Sequence, residues 1–400
     1  MKSFQFLLAC GLTSLVAACS SDTKPGSDGD GGDTGGVTST GGQTGSGGAH
    51  SSGGTVADGG AHSSGGSSAG GTANLGGSAG RNASGGASSN TPDAGNDGAT
   101  TDAGVGGEPG DGGLHIEHVF VIAMENHDQS QIVGDSADAP YINDTLIKNY
   151  ASTSKFVDTL DLAIPSEPHY VLVESGTNAF ADVTFTGDGN PSDVNSTAST
   201  EHLVTQMKAA NVSWMSYQEG LDATSGACPI DSSGFYAPKH DPFIFFQDVS
   251  GSPPSGTNAY CVAHHAPASQ LAADLASDAV AAYNFITPNL CNDMHGAAGC
   301  PNSNSIRSGD DWLGANLPAL ITYAAAHKGV VFVLWDEGAA TLSIPFLAIG
   351  PTVKKNYVGN VKYTHGSVVK SVERIFGLPY LAKVAGENDF TDLFEPGSFP

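Results

Sequence analysis

Two runs of consecutive apolar residues are the clearest strand signals in the chain. Residues 119–124 and residues 330–335 are apolar throughout and rich in Val. Runs of six residues are too short for a buried helix, and the absence of polar alternation predicts strands that are covered on both faces. The pattern therefore predicts the interior of an open α/β sheet.

Polar side chains follow both predicted strands directly. Glu125 and Asn126 come after the first strand, and Asp336 and Glu337 come after the second. Because sites in open α/β sheets gather outside the carboxyl ends of parallel strands, we expect these side chains to share one edge. Carboxylate and amide oxygens suit hard cations or zinc. For either strand alone a solvated loop carboxylate is the alternative, whereas the pair favours a metal site.

Three further segments carry candidate chemistry. Ser166 lies between two prolines, just before an apolar segment. One interpretation is a helix N-cap serine. The other is a nucleophile at a helix N-terminus, where free N–H groups attract an anion. Asp293 and His295 are two positions apart in a loop, where both side chains can point the same way. His365 precedes apolar residues at helical spacing, and Gly377 ends that predicted helix. A histidine at a helix start suits a neutral role, as a ligand or an acceptor.

Composition divides the chain. Residues 20–113 hold 32 of the 54 glycines and no Phe, Trp or Tyr. Such a segment cannot bury enough apolar surface to offset the entropy of ordering it, so we expect a disordered linker that spans roughly 50–60 Å. Residues 114–400 are long enough for one large α/β domain.

The charge is strongly acidic, with 15 Lys and Arg against 41 Asp and Glu, a formal net charge of −26. Residues 114–400 alone carry −19. A field of that sign repels phosphate backbones, which excludes nucleic-acid binding through a basic surface.

The amino terminus predicts export. Lys2 and a short apolar stretch precede Cys19, and residues 16–19 resemble a bacterial lipobox, whose cysteine becomes lipidated. We expect residues 1–19 to be a lipoprotein signal peptide, with Cys19 anchoring the protein to the outer membrane. An ordinary signal peptide with an incidental cysteine is the alternative.

Four other cysteines lie in the predicted domain, an even number that indicates two disulfides in an exported protein. Three pairings are open. The pairing that closes the shortest loops is the expected one: Cys228 with Cys261, and Cys291 with Cys300.

An ordered series of motifs resembles the phosphoesterase family of bacterial and fungal acid phosphatases and phospholipases C, within the alkaline phosphatase superfamily. The resemblance covers essentially all of residues 114–400. Its motifs are Met124-Glu125-Asn126, Ala139-Pro140-Tyr141-Ile142, Pro165-Ser166-Glu167-Pro168-His169-Tyr170, Ser213-Trp214-Met215-Ser216-Tyr217-Gln218-Glu219, Lys239-His240-Asp241-Pro242-Phe243, Asn289-Leu290-Cys291-Asn292-Asp293-Met294-His295, Asp336-Glu337-Gly338 and His365-Gly366-Ser367, the last followed by Glu373 and Gly377-Leu378-Pro379.

The resemblance implies a three-layer α/β/α sandwich with a mostly parallel central sheet. It also implies roles for eight residues. Ser166 stands where the family has its nucleophile, and Glu125, Asn126, Asp336 and Glu337 stand at metal-ligand positions. Asp293, His295 and His365 line that site, either as ligands of a second metal or as phosphate contacts and proton donors, with Asp293 expected among the metal ligands and the two histidines among the catalytic residues.

Two histidines stand apart from this assignment. His240 lies in a family motif without an assigned role. His169 replaces the asparagine that the family usually carries, so any phosphate hydrogen bond from that amide would have to come from an imidazole.

The expected activity is metal-dependent hydrolysis of small phosphorylated substrates, through a covalent phosphoserine on Ser166, with one or two divalent ions. A phosphodiesterase or phospholipase C activity is the first alternative. A non-catalytic, surface-binding lipoprotein is the second.

Overall fold

The structure is a computed structural model, and it describes residues 115–222 and 226–400. The predicted signal peptide and the predicted linker lie outside the described residues.

The described part of the chain contains eight strands and nine α-helices, together with short 3₁₀ and π turns. The strands are β1 His118–Met124, β2 Ala151–Thr153, β3 Trp214–Gln218, β4 His265–Pro267, β5 Tyr283–Thr287, β6 Gly329–Trp335, β7 Phe346–Ile349 and β8 Tyr357–Gly359. The helices are α1 Gln129–Ile132, α2 Ile147–Asn149, α3 Ser166–Ser175, α4 Leu203–Ala210, α5 Gln247–Ser250, α6 Ala259–His264, α7 Leu271–Ala276, α8 Ser305–Ala326 and α9 His365–Ile375.

The strands form one sheet in the order β4-β3-β5-β1-β6-β7-β2-β8. Every pairing is parallel except the two that β7 makes, with β6 and with β2. The two strands predicted from the apolar runs, β1 and β6, are neighbours at the centre. The expected mostly parallel sheet is confirmed.

Both faces of the central strands are covered. Successive side chains of a strand point to opposite faces, yet every residue of β6 is buried, and so is every residue of β1 after its first. Burial on both sides requires a layer of chain on each face of the sheet, and α8 packs along β6. The three-layer α/β/α class is therefore confirmed.

Helix α3 is enclosed by the protein, because all ten of its residues are buried. It begins at Ser166 after the extended residue Pro165, and it ends at Gly176, whose φ of 71° is the left-handed conformation that terminates helices. A buried helix is expected to be apolar, so its buried polar side chains require partners. Those partners define the site described below.

The disulfides follow the expected pairing, Cys228 with Cys261 and Cys291 with Cys300. The Cα atoms lie 5.3 Å apart in both pairs. Among the described residues, no helix is both long enough and apolar enough to cross a membrane.

Candidate active site

The carboxyl ends of β1 and β6 bring four predicted side chains together. Met124 and Trp335 are partners in the parallel register, so the residues that follow them leave the sheet side by side. The backbone N–H of Asn126 donates a hydrogen bond to Asp336 Oδ1 at 3.0 Å across this edge. Asn126 has a φ of 29°, a region that asparagine tolerates better than most residues. The expected common edge is present.

Ser166, the first residue of α3, lies against these carboxylates and is 1% exposed. Its Oγ is 3.2 Å from Glu125 Oε2 and 3.2 Å from Glu337 Oε1. A hydroxyl has one proton and can donate to only one of the two acceptors at a time. The serine proton can therefore satisfy only one of the two carboxyl groups that face the Ser166 oxygen.

A second group of ligand atoms surrounds the other oxygen of Glu125. His240 Nε2 lies 3.0 Å from Glu125 Oε1, and His240 Nδ1 lies 3.4 Å from Asp293 Oδ2. All three side chains are buried, and one ligand atom from each lies within 4.8 Å of the others. The Tyr170 ring stacks on His240, with centroids 4.9 Å apart. His240 has no role predicted from its sequence context, and only its place in a family motif marks it as a candidate.

The pKa values of the carboxyl groups and of His240 in this cluster are shifted in different directions. Burial disfavours the ionised Glu125, but His240 outweighs burial and lowers the pKa of Glu125 to about 2. Burial lowers the pKa of His240, but Glu125 and Asp293 raise it to about 9. Burial raises the pKa of Asp293 to about 6 and that of Glu337 to about 7. Burial and the charge of Glu125 raise the pKa of Asp336 well above its usual range. Three of the four carboxyls therefore resist ionisation without a further cation.

The unpartnered atoms of the cluster fit a divalent ion. Glu125 Oε1 and His240 Nε2 are 3.0 Å apart, yet neither has a hydrogen-bond partner with acceptable geometry. Three more buried oxygens have none either, namely Asn126 Oδ1, Asp293 Oδ2 and Asp336 Oδ2. Buried polar atoms are normally paired. Carboxylate, amide and imidazole donors suit a hard or borderline divalent cation, so this group could hold a metal.

His365 begins α9 as predicted and is fully buried. Its Nε2 is 3.3 Å from the Trp335 carbonyl oxygen, which can only accept, so Nε2 carries the proton. Nδ1 is buried without a partner. Burial, reinforced by the charge of His169, lowers the pKa of His365 to about 4. The ring is therefore neutral and presents a free acceptor nitrogen.

His295 lies at the rim of the cluster and is exposed to solvent. Its amide donates to Asp293 Oδ1 at 2.8 Å, and its Nδ1 is 2.7 Å from the Gly296 carbonyl oxygen. The His295 and His240 ring centroids are 6.0 Å apart. The structure thus brings Asp293 into the buried group and leaves His295 exposed beside it.

The fold and the cluster can be compared with known proteins. Residues 143–379 match the phosphoesterase family. The phosphatidylinositol-3-phosphatase of Mycobacterium tuberculosis is 28% identical over 279 residues, which cover 69% of this chain and 82% of that protein. A probable acid phosphatase of Kluyveromyces lactis is 24% identical, over 70% of this chain and 63% of that protein.

Solved structures also resemble the chain at low identity. An alkaline phosphatase superfamily protein from Vibrio parahaemolyticus is 12% identical, with a TM-score of 0.42 over 68% of this chain and 69% of that one. The phosphonate monoester hydrolase of Silicibacter pomeroyi is 11% identical, with a TM-score of 0.46 over 70% of this chain and 76% of that one.

The family match spans more than half of the chain and includes Ser166, His240, Asp293, Asp336 and His365. The end of β6, the starts of α3 and α9, a short 3₁₀ turn and the loop after β5 supply these residues. The chain therefore belongs to the phosphoesterase family and is a hydrolase that acts on phosphate esters.

Proposed function

We propose that the protein is a metal-dependent phosphomonoesterase that works through a covalent phosphoserine on Ser166. The observation that carries this proposal is the position of Ser166 Oγ, 3.2 Å from each of two buried carboxylates. A hydroxyl used only to cap a helix would bond the backbone of its own first turn. This hydroxyl faces the ligand cluster.

The residues that would hold the ion are those with buried, unpartnered donors. They are Glu125, Asn126, His240, Asp293 and Asp336, with Glu337 beside Ser166. When bound, a divalent ion lowers the pKa of a neighbouring hydroxyl and neutralises charge on the phosphoryl oxygens. The net charge of −19 on residues 114–400 would otherwise oppose an anionic substrate.

In the first step, the Ser166 hydroxyl passes its proton to Glu337, whose Oε1 is 3.2 Å away, and the Ser166 oxygen attacks phosphorus in line with the leaving oxygen. The bond between phosphorus and the leaving oxygen breaks, and that oxygen takes up a proton and departs as an alcohol. We assign this proton to His295, because its ring lies at the solvent-exposed rim where the leaving group would depart.

In the second step, water attacks phosphorus and the bond between phosphorus and the Ser166 oxygen breaks, so that inorganic phosphate leaves. Ser166 regains its proton from Glu337, and the proton released by the water restores the one that His295 gave up. His365 has a protonated Nε2 and a free Nδ1. We assign to Nδ1 the role of accepting a hydrogen bond that orients this water. Its neutral state suits an acceptor.

Monoesters are the proposed substrate class. The two relatives compared above are named a phosphatidylinositol-3-phosphatase and a probable acid phosphatase, and both names describe cleavage of a phosphomonoester. We expect hydrolysis of 4-nitrophenyl phosphate to exceed that of bis(4-nitrophenyl) phosphate by at least ~10-fold in kcat/KM. The rates are measured with metal-analysed protein, before and after chelation. Faster diester cleavage would make the enzyme a phosphodiesterase, and no cleavage of either ester would favour a non-catalytic lipoprotein.

We further propose that Cys19 anchors the protein to the bacterial outer membrane, as the lipobox-like sequence indicates. Cys19→Ser removes the thiol that would carry the lipid, and we expect the protein to move from the membrane fraction to the soluble fraction. Immunoblots of fractionated cells measure this distribution. Unchanged membrane association of the variant would contradict the lipoprotein assignment.

A further inference from the structure

His169 occupies the position where the resemblance leads one to expect asparagine, and it is fully buried one helical turn after Ser166. Its Nδ1 lies 2.9 Å from the Pro165 carbonyl oxygen, and its Nε2 lies 2.9 Å from Asp158 Oδ2. A carbonyl oxygen and a carboxylate both accept hydrogen bonds. The ring therefore donates from both nitrogens.

The bond to Pro165 acts on the turn that presents Ser166. Pro165 is the N-cap residue of α3 and makes no side-chain cap hydrogen bond. An N-cap of Ser, Thr, Asp or Asn would fix a helix start through its own side chain. Here the His169 ring donates to the Pro165 carbonyl oxygen, immediately before Ser166, and so holds the same turn through a different hydrogen bond.

The bond to Asp158 connects this turn to two other segments. Asp158 is 1% exposed, and its Oδ1 accepts from the Leu160 amide at 3.0 Å. The Asp158 amide donates to the Leu342 carbonyl oxygen at 2.8 Å, in the chain segment that follows Glu337. His169 thus links the start of α3, the segment around Asp158 and the segment after β6.

The pKa shifts of His169 and Asp158 agree with these hydrogen bonds. Burial disfavours the charged imidazole, but the hydrogen bond to Asp158 outweighs burial and raises the pKa of His169. Burial likewise opposes the ionised Asp158, and the hydrogen bond to His169 outweighs it and lowers the pKa of Asp158. The two groups form a buried ion pair.

We propose that His169 is a positioning residue for hydrolysis, which holds the Pro165–Ser166 turn through its paired hydrogen bonds to Pro165 and Asp158. The inference rests on the proposed role of Ser166 as the nucleophile. A serine side chain has three staggered rotamers, and only an Oγ held near Glu125 and Glu337 is in place to attack. Misplacing a reacting group by about 1 Å can cost on the order of 100-fold in rate.

The first test is His169→Phe, which keeps a ring and removes both hydrogen bonds. We expect kcat to fall by at least ~10-fold with KM within about twofold, because the turn is misplaced while the substrate contacts remain. Rapid-quench measurement of phosphoprotein formation should show the same fall in a single turnover. Metal content per chain should equal that of the parent.

The matched control is His202→Phe. His202 is also fully buried between two carboxylates, with Nδ1 2.9 Å from Glu174 Oε1 and Nε2 3.0 Å from Asp248 Oδ1. It lies at the other end of α3, so its loss removes a comparable pair without touching the Ser166 turn. We expect a lower Tm and an unchanged kcat for this control.

Two conservative variants separate positioning from general stability. His169→Asn restores an amide that can donate to the Pro165 carbonyl, and we expect its kcat to lie within ~3-fold of the parent. Asp158→Asn keeps the size of the side chain and removes the charge that orients the ring. We expect Asp158→Asn to lower kcat by more than His169→Asn does and by less than His169→Phe does. If His169→Phe does not fold, the kcat of Asp158→Asn tests the proposal in its place.

The outcomes are distinguishable. A folded His169→Phe, or Asp158→Asn, with the parent's kcat and only a lower Tm would overturn the positioning role. If the parent hydrolyses phosphomonoesters but Ser166→Ala is equally active, the proposed mechanism fails instead. A large loss in His169→Phe without rescue in His169→Asn would also contradict the inference, because the tie to Pro165 would not explain it.

Discussion

Ser166→Ala should retain its bound metal and lose at least ~100-fold in turnover, because positioning alone cannot replace a covalent route. The buried donors of Glu125, Asn126, His240, Asp293 and Asp336 remain in this variant, so the ion still has its ligands. Hydrolysis of 4-nitrophenyl phosphate and metal content are measured on the same samples.

Ser175→Ala is the matched control on the same helix. Ser175 is buried at the opposite end of α3, where its Oγ donates to the Val171 carbonyl oxygen at 2.8 Å. Its loss removes a buried hydroxyl and should leave turnover unchanged. Pro165 is the N-cap residue, so the helix N-cap alternative for Ser166 is not what the structure shows. If Ser166→Ala behaved like this control, with a stability cost of about 1 kcal/mol and nearly full activity, Ser166 would have only a structural role in the first turn of α3 and no phosphoserine would form.

Asp336→Asn should lose metal and turnover together. Asp336 Oδ2 is buried without a hydrogen-bond partner, and Asp336 Oδ1 accepts from the backbone N–H of Asn126. The substitution keeps the shape and removes the negative charge that a cation needs, so both affinity and activation of Ser166 fall. Metal titration and kcat at saturating metal measure the two effects, and excess metal should partly restore the rate.

Asp310→Asn supplies a control for replacing a buried carboxylate elsewhere. Asp310 is 1% exposed and accepts from the Tyr141 and Ile142 amides at 2.9 and 2.8 Å. We expect a lower Tm with metal affinity unchanged. Full metal affinity in Asp336→Asn would show that the ion is held elsewhere and would remove the central ligand from the proposed site.

The strand-end pattern allowed the centre of the fold to be predicted. Val119 through Met124 and Val330 through Trp335 are apolar runs that belong to β1 and β6, and these strands pair in parallel at the middle of the sheet. Their adjacency places Glu125 and Asp336 at one edge. A local pattern sufficed because continuous apolarity has a direct physical cause, burial on both faces.

The site around that edge could be predicted only in part. His240 follows no strand or helix pattern, and it reaches Glu125 from a short 3₁₀ turn, Pro238–His240. The contact between Asp158 and His169 was not predicted from the sequence, because it forms only when α3 packs against the segment around Asp158. Side chains that arrive from irregular segments leave no periodic signal.

The two loop candidates show the same division. Asp293 and His295 are two positions apart, and their spacing allowed both to face the site. In the structure Asp293 is buried beside His240, while His295 is exposed at the rim. The difference arises from the backbone between them, where Met294 has a φ of 81°. Spacing alone does not encode such a turn.

The amino-acid sequence by itself determined the α/β class, the acidic character, the family resemblance, the strand-end carboxylates and the candidate serine. These follow from composition, from short apolar runs and from motifs, all of which are local properties. Tertiary structure decided that His240 joins Glu125 and Asp293, and that His169 ties Pro165 to Asp158. The first of these contacts joins residues far apart in the chain, and the second joins α3 to an irregular segment, so both form only when the sheet and its helices have packed.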